Sequence, residues 1–394
     1  MTGAPGFLRA PAPAGPAQAG ATEAVSCRAC RGTRGDLVLD LGEQPPCDCF
    51  PPATNPGPDP VYPLQMWLCS SCGLAQLVVD PMLTEEARGQ EPEALVAQAA
   101  DAIDRVASAG WLPEGTSVAE CASPHGGSWL PRLSERGLSP VPPGEPADVV
   151  FDCFGLMHAP DQTSALAERA ARVGPGGVMF LQYHPLDTII RLGQWNSLRH
   201  GHFAYYSTTA LVTMLAAQGF SPRTAWRFDL YGGTILLAAT RDVDVPPQPD
   251  GSLETLLAED RRIGVRHAAV VRSLGDMVYR SIHRVRHFLL DESRAGRTVL
   301  GYGAASRAVA LVVGAGADRE LLQGVVDASP AKQGLRMPGT DIPILGVGEL
   351  ADRRPESVLL FVPDLLSEVR AAFPGVEDSG GHWIDPDAID TQIR

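Results

Sequence analysis

Two pairs of cysteines near the start of the chain constrain its fold more than any other feature. Cys27 and Cys30 form one C-x2-C motif, and Cys69 and Cys72 form a second about forty residues later. Each motif lets two thiolates face one centre, and two motifs complete a tetrahedral shell of four sulfurs that suits Zn2+ and leaves no open coordination position. The spacing therefore predicts a structural zinc site in a small, turn-rich module, with Cys47 as a neighbouring thiol that could replace a ligand.

The composition indicates a globular protein with more than one hydrophobic core. The 394 residues are 44% hydrophobic and 20% charged, and a chain of this length has room for two or three domains. The net charge of −14 argues against nucleic-acid partners, because phosphate binding needs clustered cations. No apolar run reaches the roughly 18 residues that span a bilayer, and no secretory signal precedes the cysteines. With cysteines in C-x2-C pairs rather than a disulfide framework, we expect a cytoplasmic protein without a membrane partner.

The order of the segments predicts an α/β protein with three folded parts. Residues 1–24 are rich in alanine, glycine and proline, and we expect them to form a disordered tail. Residues 25–82 hold the zinc module, and residues 83–245 alternate predicted helices and strands. Residues 246–394 begin with a proline-rich linker, continue with one long helix predicted over 253–295, and end in a second α/β unit.

Residues 195–207, which we name the histidine segment, carry side chains that can move protons near neutral pH. This short span contains two histidines, His200 and His202, and two tyrosines, Tyr205 and Tyr206. It follows a predicted strand, and open α/β sheets place their functional sites at the ends of strands. A solvated or packing loop is the alternative interpretation of the same residues.

A glycine-rich turn opens the second α/β unit. Gly301 and Gly303 follow a predicted strand and precede a helix, so they permit a tight turn whose free N–H groups favour a phosphate. Arg307 and Lys332, the single lysine of the chain, are the candidate phosphate contacts. The pattern predicts a Rossmann-like domain, which could also serve for packing alone.

These motifs together resemble the nucleotide-sugar C-methyltransferases. The histidine segment is similar to the family pattern F-D-x-I-Y-H-E-H-F-x-Y-Y-S, and residues 301–307 to G-Y-G-A-A-x-K/R. Residues 327–344 are similar to D-x-x-P-x-K-Q-G-x-x-x-P-G-T-x-I-P-I, and residues 41–46 to the family's zinc domain. The resemblance spans about residues 25–385. It implies a structural zinc, a dTDP-4-keto-6-deoxyhexose-like small-molecule substrate, and a C-terminal domain that holds the nucleotide diphosphate.

The resemblance also implies roles within the histidine segment. In the family a base removes the proton beside a ketone, and the enolate attacks the methyl group of S-adenosylmethionine. His202 occupies the position of the base, and His200 matches a position where the family has histidine or aspartate. Arg199 and Gly201 replace the family's tyrosine and glutamate. Arginine is a permanent cation, so Arg199 is the predicted enolate stabiliser, with Tyr206 as a further catalytic candidate.

The donor-binding turn departs from the family. Residues 118–127 form a predicted strand and a glycine-containing turn, with Pro124 and His125 where the family has an Asn-Asp pair. Only about 25 residues separate this turn from the strand predicted over 148–154, which leaves room for one helix and a proline-rich loop. We therefore expect a truncated class I methyltransferase-like domain that lacks the ribose and adenine side of the pocket. The remaining candidate donor contacts are Glu120, Ser123, Gly126 and Gly127.

Three functions stay open on this evidence. The first is sugar C-methylation with S-adenosylmethionine. The second is an epimerase or isomerase that uses the same base without a methyl donor. The third is a non-catalytic homologue that binds the nucleotide sugar. The sequence is compatible with a monomer or a homodimer.

Overall fold

The N-terminal part of the chain is a small antiparallel sheet. The computed structural model describes residues 25–55, 57–81, 93–121, 127–241 and 250–392, so the predicted tail lies outside the described residues. Two register irregularities interrupt the pairing of the first two strands, and irregularities of this kind bend a strand locally. The strands are β1 (Gly35–Gln44), β2 (Tyr62–Cys69) and β3 (Ala75–Leu77).

The central domain alternates strands and helices, as the sequence predicts. The side chains of Asp161 and Ser207 cap the starts of two of its helices by accepting backbone N–H bonds. Its elements are α1 (Glu93–Ser108), β4 (Ser117–Cys121), α2 (Leu130–Glu135), β5 (Ser139–Pro140), β6 (Ala147–Cys153), α3 (Gln162–Ala171), β7 (Val173–Tyr183), α4 (Leu186–Leu192), β8 (Ala204–Tyr205), α5 (Thr208–Ala217), β9 (Ser221–Phe228) and β10 (Thr234–Thr240).

The central sheet has six strands in the order β5-β4-β6-β7-β10-β9. Strands β4 to β7 are parallel, and β10 runs antiparallel to both of its neighbours. Strand β6 and residues 177–183 of β7 are almost entirely buried, which is typical of strands covered on both faces, and the rings of Phe151 and Phe180 stack across them at 4.7 Å. Between β4 and β6 the described residues form only α2 and the two-residue β5, which agrees with the predicted truncation.

The C-terminal domain is a Rossmann-like unit, as predicted. Its five strands are all parallel, in the order β13-β12-β11-β14-β15. Its elements are α6 (Gly251–Ile263), α7 (Ala268–Arg272), α8 (Leu274–Arg294), β11 (Val299–Tyr302), α9 (Ser306–Gly314), β12 (Val325–Val326), β13 (Ile344–Leu345), α10 (Glu349–Arg353), β14 (Ser357–Leu360), α11 (Leu366–Ala372), α12 (Gly375–Asp378), β15 (His382–Ile384) and α13 (Ile389–Gln392).

The prediction of one long helix over 253–295 was wrong. The structure has three helices there, α6, α7 and α8. Gly264 ends α6 in the left-handed conformation, with φ 83° and ψ 39°, and its N–H donates to the carbonyl of Asp260. Such a glycine terminates a helix because it adopts positive φ at little steric cost.

The three parts share their cores rather than sitting apart. Strand β8 of the histidine segment pairs with β3, so it becomes the fourth strand of the N-terminal sheet. One cluster of buried side chains runs from β1 and β2 of that sheet to α8 and α9 of the C-terminal domain. None of the described helices combines the length and apolar character that crossing a membrane requires.

We predict a pH dependence of stability from Asp260, which joins α6 to α5. Its side chain is 2% exposed, and Oδ2 accepts bonds from the Thr209 backbone N–H (2.7 Å) and hydroxyl (2.8 Å). Burial raises the pKa of Asp260 from 3.8 to about 6, so the folded protein prefers the protonated carboxyl. Its contribution to stability is therefore present below pH 3.8 and decreases by about 3 kcal/mol as the pH rises to about 6.

Melting temperatures of the wild type and Asp260→Asn between pH 4 and 8 measure this effect. The wild type should lose stability relative to the variant as the pH rises through this range. Asp161→Asn is the control, because hydrogen bonding from Ser164 and Arg31 lowers the pKa of Asp161 below 3.8, so its stability difference from the wild type should stay constant between pH 4 and 8. A constant difference between wild type and Asp260→Asn across the range would contradict the prediction.

Candidate functional site

The four predicted zinc ligands converge at one point. All four Sγ atoms lie within 4.8 Å of one another, with 3.5 Å between Cys27 and Cys72 and 3.6 Å between Cys30 and Cys69. Sulfurs at about 2.3 Å from a tetrahedral zinc would be about 3.8 Å apart, so the geometry fits a Zn(Cys)4 site. The hydrogen bond between Cys27 and Cys72 lowers the pKa of Cys27 and raises the pKa of Cys72, so metal binding at this pair would release the proton that Cys72 holds.

The proposed substitute ligand lies elsewhere. The thiol of Cys47 points to the backbone carbonyl of His200, with Sγ 3.9 Å from the oxygen. It is absent from the cysteine cluster that the described residues form. The expectation that Cys47 could replace a zinc ligand was therefore wrong, because the chain folds this loop against the histidine segment.

A cavity of about 650 Å3 lies between the central and C-terminal domains. It brings together five residues that the sequence singled out, from the histidine segment and from the glycine-rich turn. Residues more than 90 positions apart thus face the same space. These five residues are Arg199, His202, Gly303, Arg307 and Lys332.

Other predicted site residues lie away from this cavity. His200 packs its ring against Tyr62 and approaches the Pro63 carbonyl at 3.4 Å. The buried hydroxyl of Tyr206 donates to the side-chain oxygen of Gln162, and burial raises the pKa of Tyr206 well above its ordinary value. Gly301 sits inside the sheet, where an added Cβ would come within 2.6 Å of the Phe361 ring.

The candidate donor contacts are partly engaged in local structure. The carboxylate of Glu120 accepts from the Ser128 hydroxyl (2.6 Å) and the Trp129 N–H (2.9 Å), so it holds the start of α2. Gly127 is in the left-handed conformation with φ 74°. Ser123 and Gly126 lie outside the described residues.

Arg199 and His202 form a close pair in the cavity wall. Nε2 of His202 lies 2.9 Å from Nε and 2.6 Å from Nη2 of Arg199. Because a guanidinium has donors and no acceptor, Nε2 must be the unprotonated nitrogen, and His202 is neutral with its proton on Nδ1. The lone pair that would accept a substrate proton is therefore held beside a permanent cation.

Two polar side chains of the cavity escaped the sequence-based site prediction. Nε2 of His184 and Oγ of Ser197 are buried atoms that lack a hydrogen-bond partner among the described residues. Burial, and then the charges of Arg307 and Arg199, lower the pKa of His184 to about 3, so this imidazole is neutral. The position of His184 after strand β7 was a usable signal, whereas nothing in the sequence marks Ser197.

An aromatic wall with unusual backbone conformations completes the cavity. Phe154 and Tyr231 both line it, with φ of 64° and 56°, and their ring centroids are 6.1 Å apart. A positive φ costs a non-glycine residue about 1–2 kcal/mol of conformational free energy, so the surrounding packing must hold these two residues in place. Gln194 donates to the Tyr231 carbonyl (3.0 Å), and the Arg307 guanidinium lies 4.9 Å from the centre of the Tyr231 ring.

The glycine-rich turn is anchored at both backbone groups of one residue, Ala304. Asp327 accepts the N–H of Ala304 at 2.8 Å, and Nζ of Lys332 donates to the carbonyl of Ala304 at 3.0 Å. Gly303 has φ 86°, and an added Cβ would come within 2.8 Å of Val362. The turn therefore requires glycine, and its strand and helix aim the start of α9 into the cavity.

Three family models match the chain in succession. A “Putative zinc binding domain” matches residues 27–81, a “Methyltransferase domain” residues 77–225, and a “C-methyltransferase C-terminal domain” residues 229–386. C-methyltransferase NovU of Streptomyces niveus is 26% identical over 267 residues, which covers 64% of this chain and 63% of that protein.

Solved methyltransferase structures give weaker matches than the family models do. Magnesium protoporphyrin IX methyltransferase (ChlM) of Synechocystis PCC 6803 has a TM-score of 0.29 and 14% identity, covering 40% of this chain and 90% of that one. An O-methyltransferase family protein of Burkholderia thailandensis has a TM-score of 0.29 and 14% identity, covering 39% and 59%. Because the three models follow one another from residue 27 to residue 386, the chain belongs to the C-methyltransferase family, with a putative zinc-binding domain as its N-terminal part.

Proposed function

We propose that the chain binds a nucleotide-linked ketodeoxyhexose in the cavity and removes the proton beside the ketone. The main support is that one cavity of about 650 Å3 joins Arg199 and His202 to Arg307 and Lys332. This volume is within the usual range for small-molecule sites, about 300–1,000 Å3. A dTDP-4-keto-6-deoxyhexose-like substrate carries an anionic diphosphate at one end and an acidic C–H at the other.

The C-terminal side of the cavity suits the diphosphate. Residues 304–307 at the start of α9 line the cavity, and the N-terminus of a helix favours an anion. The guanidinium of Arg307, whose side chain is 20% exposed, adds a cation that burial makes more effective. Lys332, which is 6% exposed, adds a second charge behind the turn.

The central side of the cavity suits a sugar ring. Nε2 of His184 and Oγ of Ser197 lack partners among the described residues, and buried polar atoms of this kind are stabilised by a polar ligand. Sugar hydroxyl and keto groups supply the missing donors and acceptors. The rings of Phe154 and Tyr231 offer apolar surface to the same ligand.

The Arg199–His202 pair can carry the proton step. A ketone oxygen that accepts from Arg199 would release Nε2 of His202, and the neighbouring C–H would then lie beside the freed lone pair. His202 removes this proton, and Arg199 stabilises the negative charge on the enolate oxygen. Their hydrogen bond of 2.6–2.9 Å places the two groups side by side, so one substrate can contact both.

The described donor-side residues do not form a complete site for S-adenosylmethionine. Glu120 is engaged at the start of α2, and the central sheet that the described residues form has six strands, with a two-residue edge strand. The bound donor would supply an electrophilic methyl group, which is the family reaction. The incomplete donor side favours a second candidate, in which the enolate is reprotonated and the chain acts as an epimerase or isomerase.

Incubation of dTDP-4-keto-6-deoxyhexose in D2O, with and without S-adenosylmethionine, tests this proposal. We expect deuterium at the carbon beside the ketone without the donor. A product that is heavier by one methyl group after donor addition would select methyl transfer, and its absence would select the second candidate. Unlabelled substrate together with measurable binding would contradict both and indicate a binding protein.

We predict that Arg307→Ala weakens dTDP binding by about 10- to 100-fold. A charge-assisted hydrogen bond to phosphate contributes about 1.5–3 kcal/mol, and the variant loses that bond and the buried cation. Isothermal titration calorimetry measures the change. Arg319→Ala is the matched control, because that side chain is 71% exposed and outside the cavity. Equal affinities of the two variants would contradict the role of Arg307.

A further inference from the structure

The zinc module touches the histidine segment at several points. Besides the β3–β8 pairing, the Leu77 N–H donates to the Phe203 carbonyl at 3.2 Å. The Gly201 N–H donates to Asp80 at 2.5 Å. The segment that carries His202 is therefore hydrogen-bonded to the sheet of the zinc module.

Arg28 lies inside the first cysteine motif, and both its backbone and its guanidinium contact the region where the zinc module meets the histidine segment. Its backbone N–H donates to the side chain of Gln76 in β3 at 2.8 Å. Its Nε donates to the Leu77 carbonyl at 3.2 Å, and its Nη1 donates to the Pro160 carbonyl at 2.9 Å. Its guanidinium lies 4.9 Å from the centre of the Phe203 ring.

Phe203 directly follows His202 and is fixed from both sides. Its N–H donates to the Met157 carbonyl at 2.8 Å, and its carbonyl accepts from β3. His158, which follows Met157 in the chain, has its ring 4.5 Å from the His202 ring. A displacement of Arg28 would therefore loosen the two neighbours that set the position of His202.

We propose that Arg28 is a positioning residue that transmits the geometry of the zinc site to His202. Zinc closes the turn that presents Arg28, and Arg28 holds Phe203 and the Pro160 carbonyl in register with β3. The zinc site thus takes part in orienting the base as well as in stabilising the module. The orientation of the segment is independent of the proposed function, and only the consequence for proton removal rests on it.

Arg28→Ala tests this role against Arg31→Ala. Arg31 lies just after the same cysteine motif, but its side chain is 59% exposed and pairs with Asp161 at the surface. Hydrogen exchange of peptides covering residues 199–206 is the first readout, and zinc content is the second. We expect Arg28→Ala to keep its zinc and to exchange about tenfold faster in this segment, whereas Arg31→Ala matches the wild type.

Chelation and kinetics complete the test. Removal of zinc by a chelator should accelerate exchange in residues 199–206 of the wild type and add little in Arg28→Ala. In the D2O assay, Arg28→Ala should lower the rate at saturating substrate about tenfold and leave dTDP affinity unchanged, with partial recovery in Arg28→Lys. Faster exchange with an inactive wild type would refute the proposed function alone. Exchange equal to that of Arg31→Ala, or loss of zinc from Arg28→Ala, would overturn the positioning role.

Discussion

His202→Asn should reduce deuterium incorporation at the carbon beside the ketone by about 10²- to 10⁴-fold. This is the usual contribution of a positioned general base. Asparagine can accept the hydrogen bond from Arg199 but cannot take up a proton, so the change removes the chemistry and keeps the contact. Proton NMR of the substrate in D2O at saturating concentration measures the rate directly.

Two variants delimit this result. His287→Asn, on the exposed side of α8, should exchange at the wild-type rate. Arg199→Tyr restores the residue that the family has at that position and should stay within about tenfold of the wild type, because a phenol also stabilises an enolate. If His202→Asn keeps wild-type exchange, the base is another group, and His184 is the next candidate because its neutral Nε2 faces the same cavity.

Arg336→Leu should lower the free energy of unfolding by about 3–5 kcal/mol, the usual effect of breaking a buried ion pair. Arg336 is 2% exposed, and its Nη1 and Nη2 each lie 2.6 Å from an oxygen of Asp59, which is 9% exposed. The same guanidinium donates to the carbonyls of Asn55 (2.6 Å) and Thr340 (2.8 Å). Its loss would leave one buried carboxylate and two carbonyls without their partner.

Urea unfolding of a double-mutant cycle with Asp59→Leu isolates this pair. The double variant should be more stable than the sum of the two single losses implies, because neither charge is then left alone. Arg353→Leu, at a half-exposed pair within α10, should change stability by about 0.5 kcal/mol or less. A loss below about 1 kcal/mol in Arg336→Leu would contradict the prediction.

The acid limb of stability gives an independent check on this ion pair. Hydrogen bonding from Arg336 lowers the pKa of Asp59 below 3.8. A lowered pKa means that the contribution is fully present above pH 3.8 and is lost as the pH falls through the folded value. Arg336→Leu should therefore flatten the acid limb of the wild-type stability profile.

Sequence alone was sufficient for features that depend on short spacings. The cysteine motifs, the glycine-rich turn and most strands and helices are local patterns whose geometry neighbouring residues determine. The truncation of the central domain also followed from sequence, because about 25 residues cannot hold the missing elements. The helix over 253–295 failed for a local reason, since Gly264 can lie within a helix or end one.

Only the tertiary structure joined these parts into a site. Arg336 and Asp59 are 277 positions apart, and no local pattern links them. The same is true of Arg28 and Phe203, and of His184 and Arg307 across the cavity. Long-range packing chooses such partners, because many registers of the same local elements satisfy the local rules equally well.

The two histidines show the division most clearly. His200 and His202 have the same chemistry and lie two positions apart, and only the resemblance to the family pattern distinguishes them in the sequence. The left-handed turn at Gly201, with φ 83°, and its bond to Asp80 send the two rings to different surroundings. His200 packs against the zinc module, and His202 faces the cavity beside Arg199. The sequence determines that two histidines occur here, but the direction in which each side chain points depends on the pairing of this segment with β3.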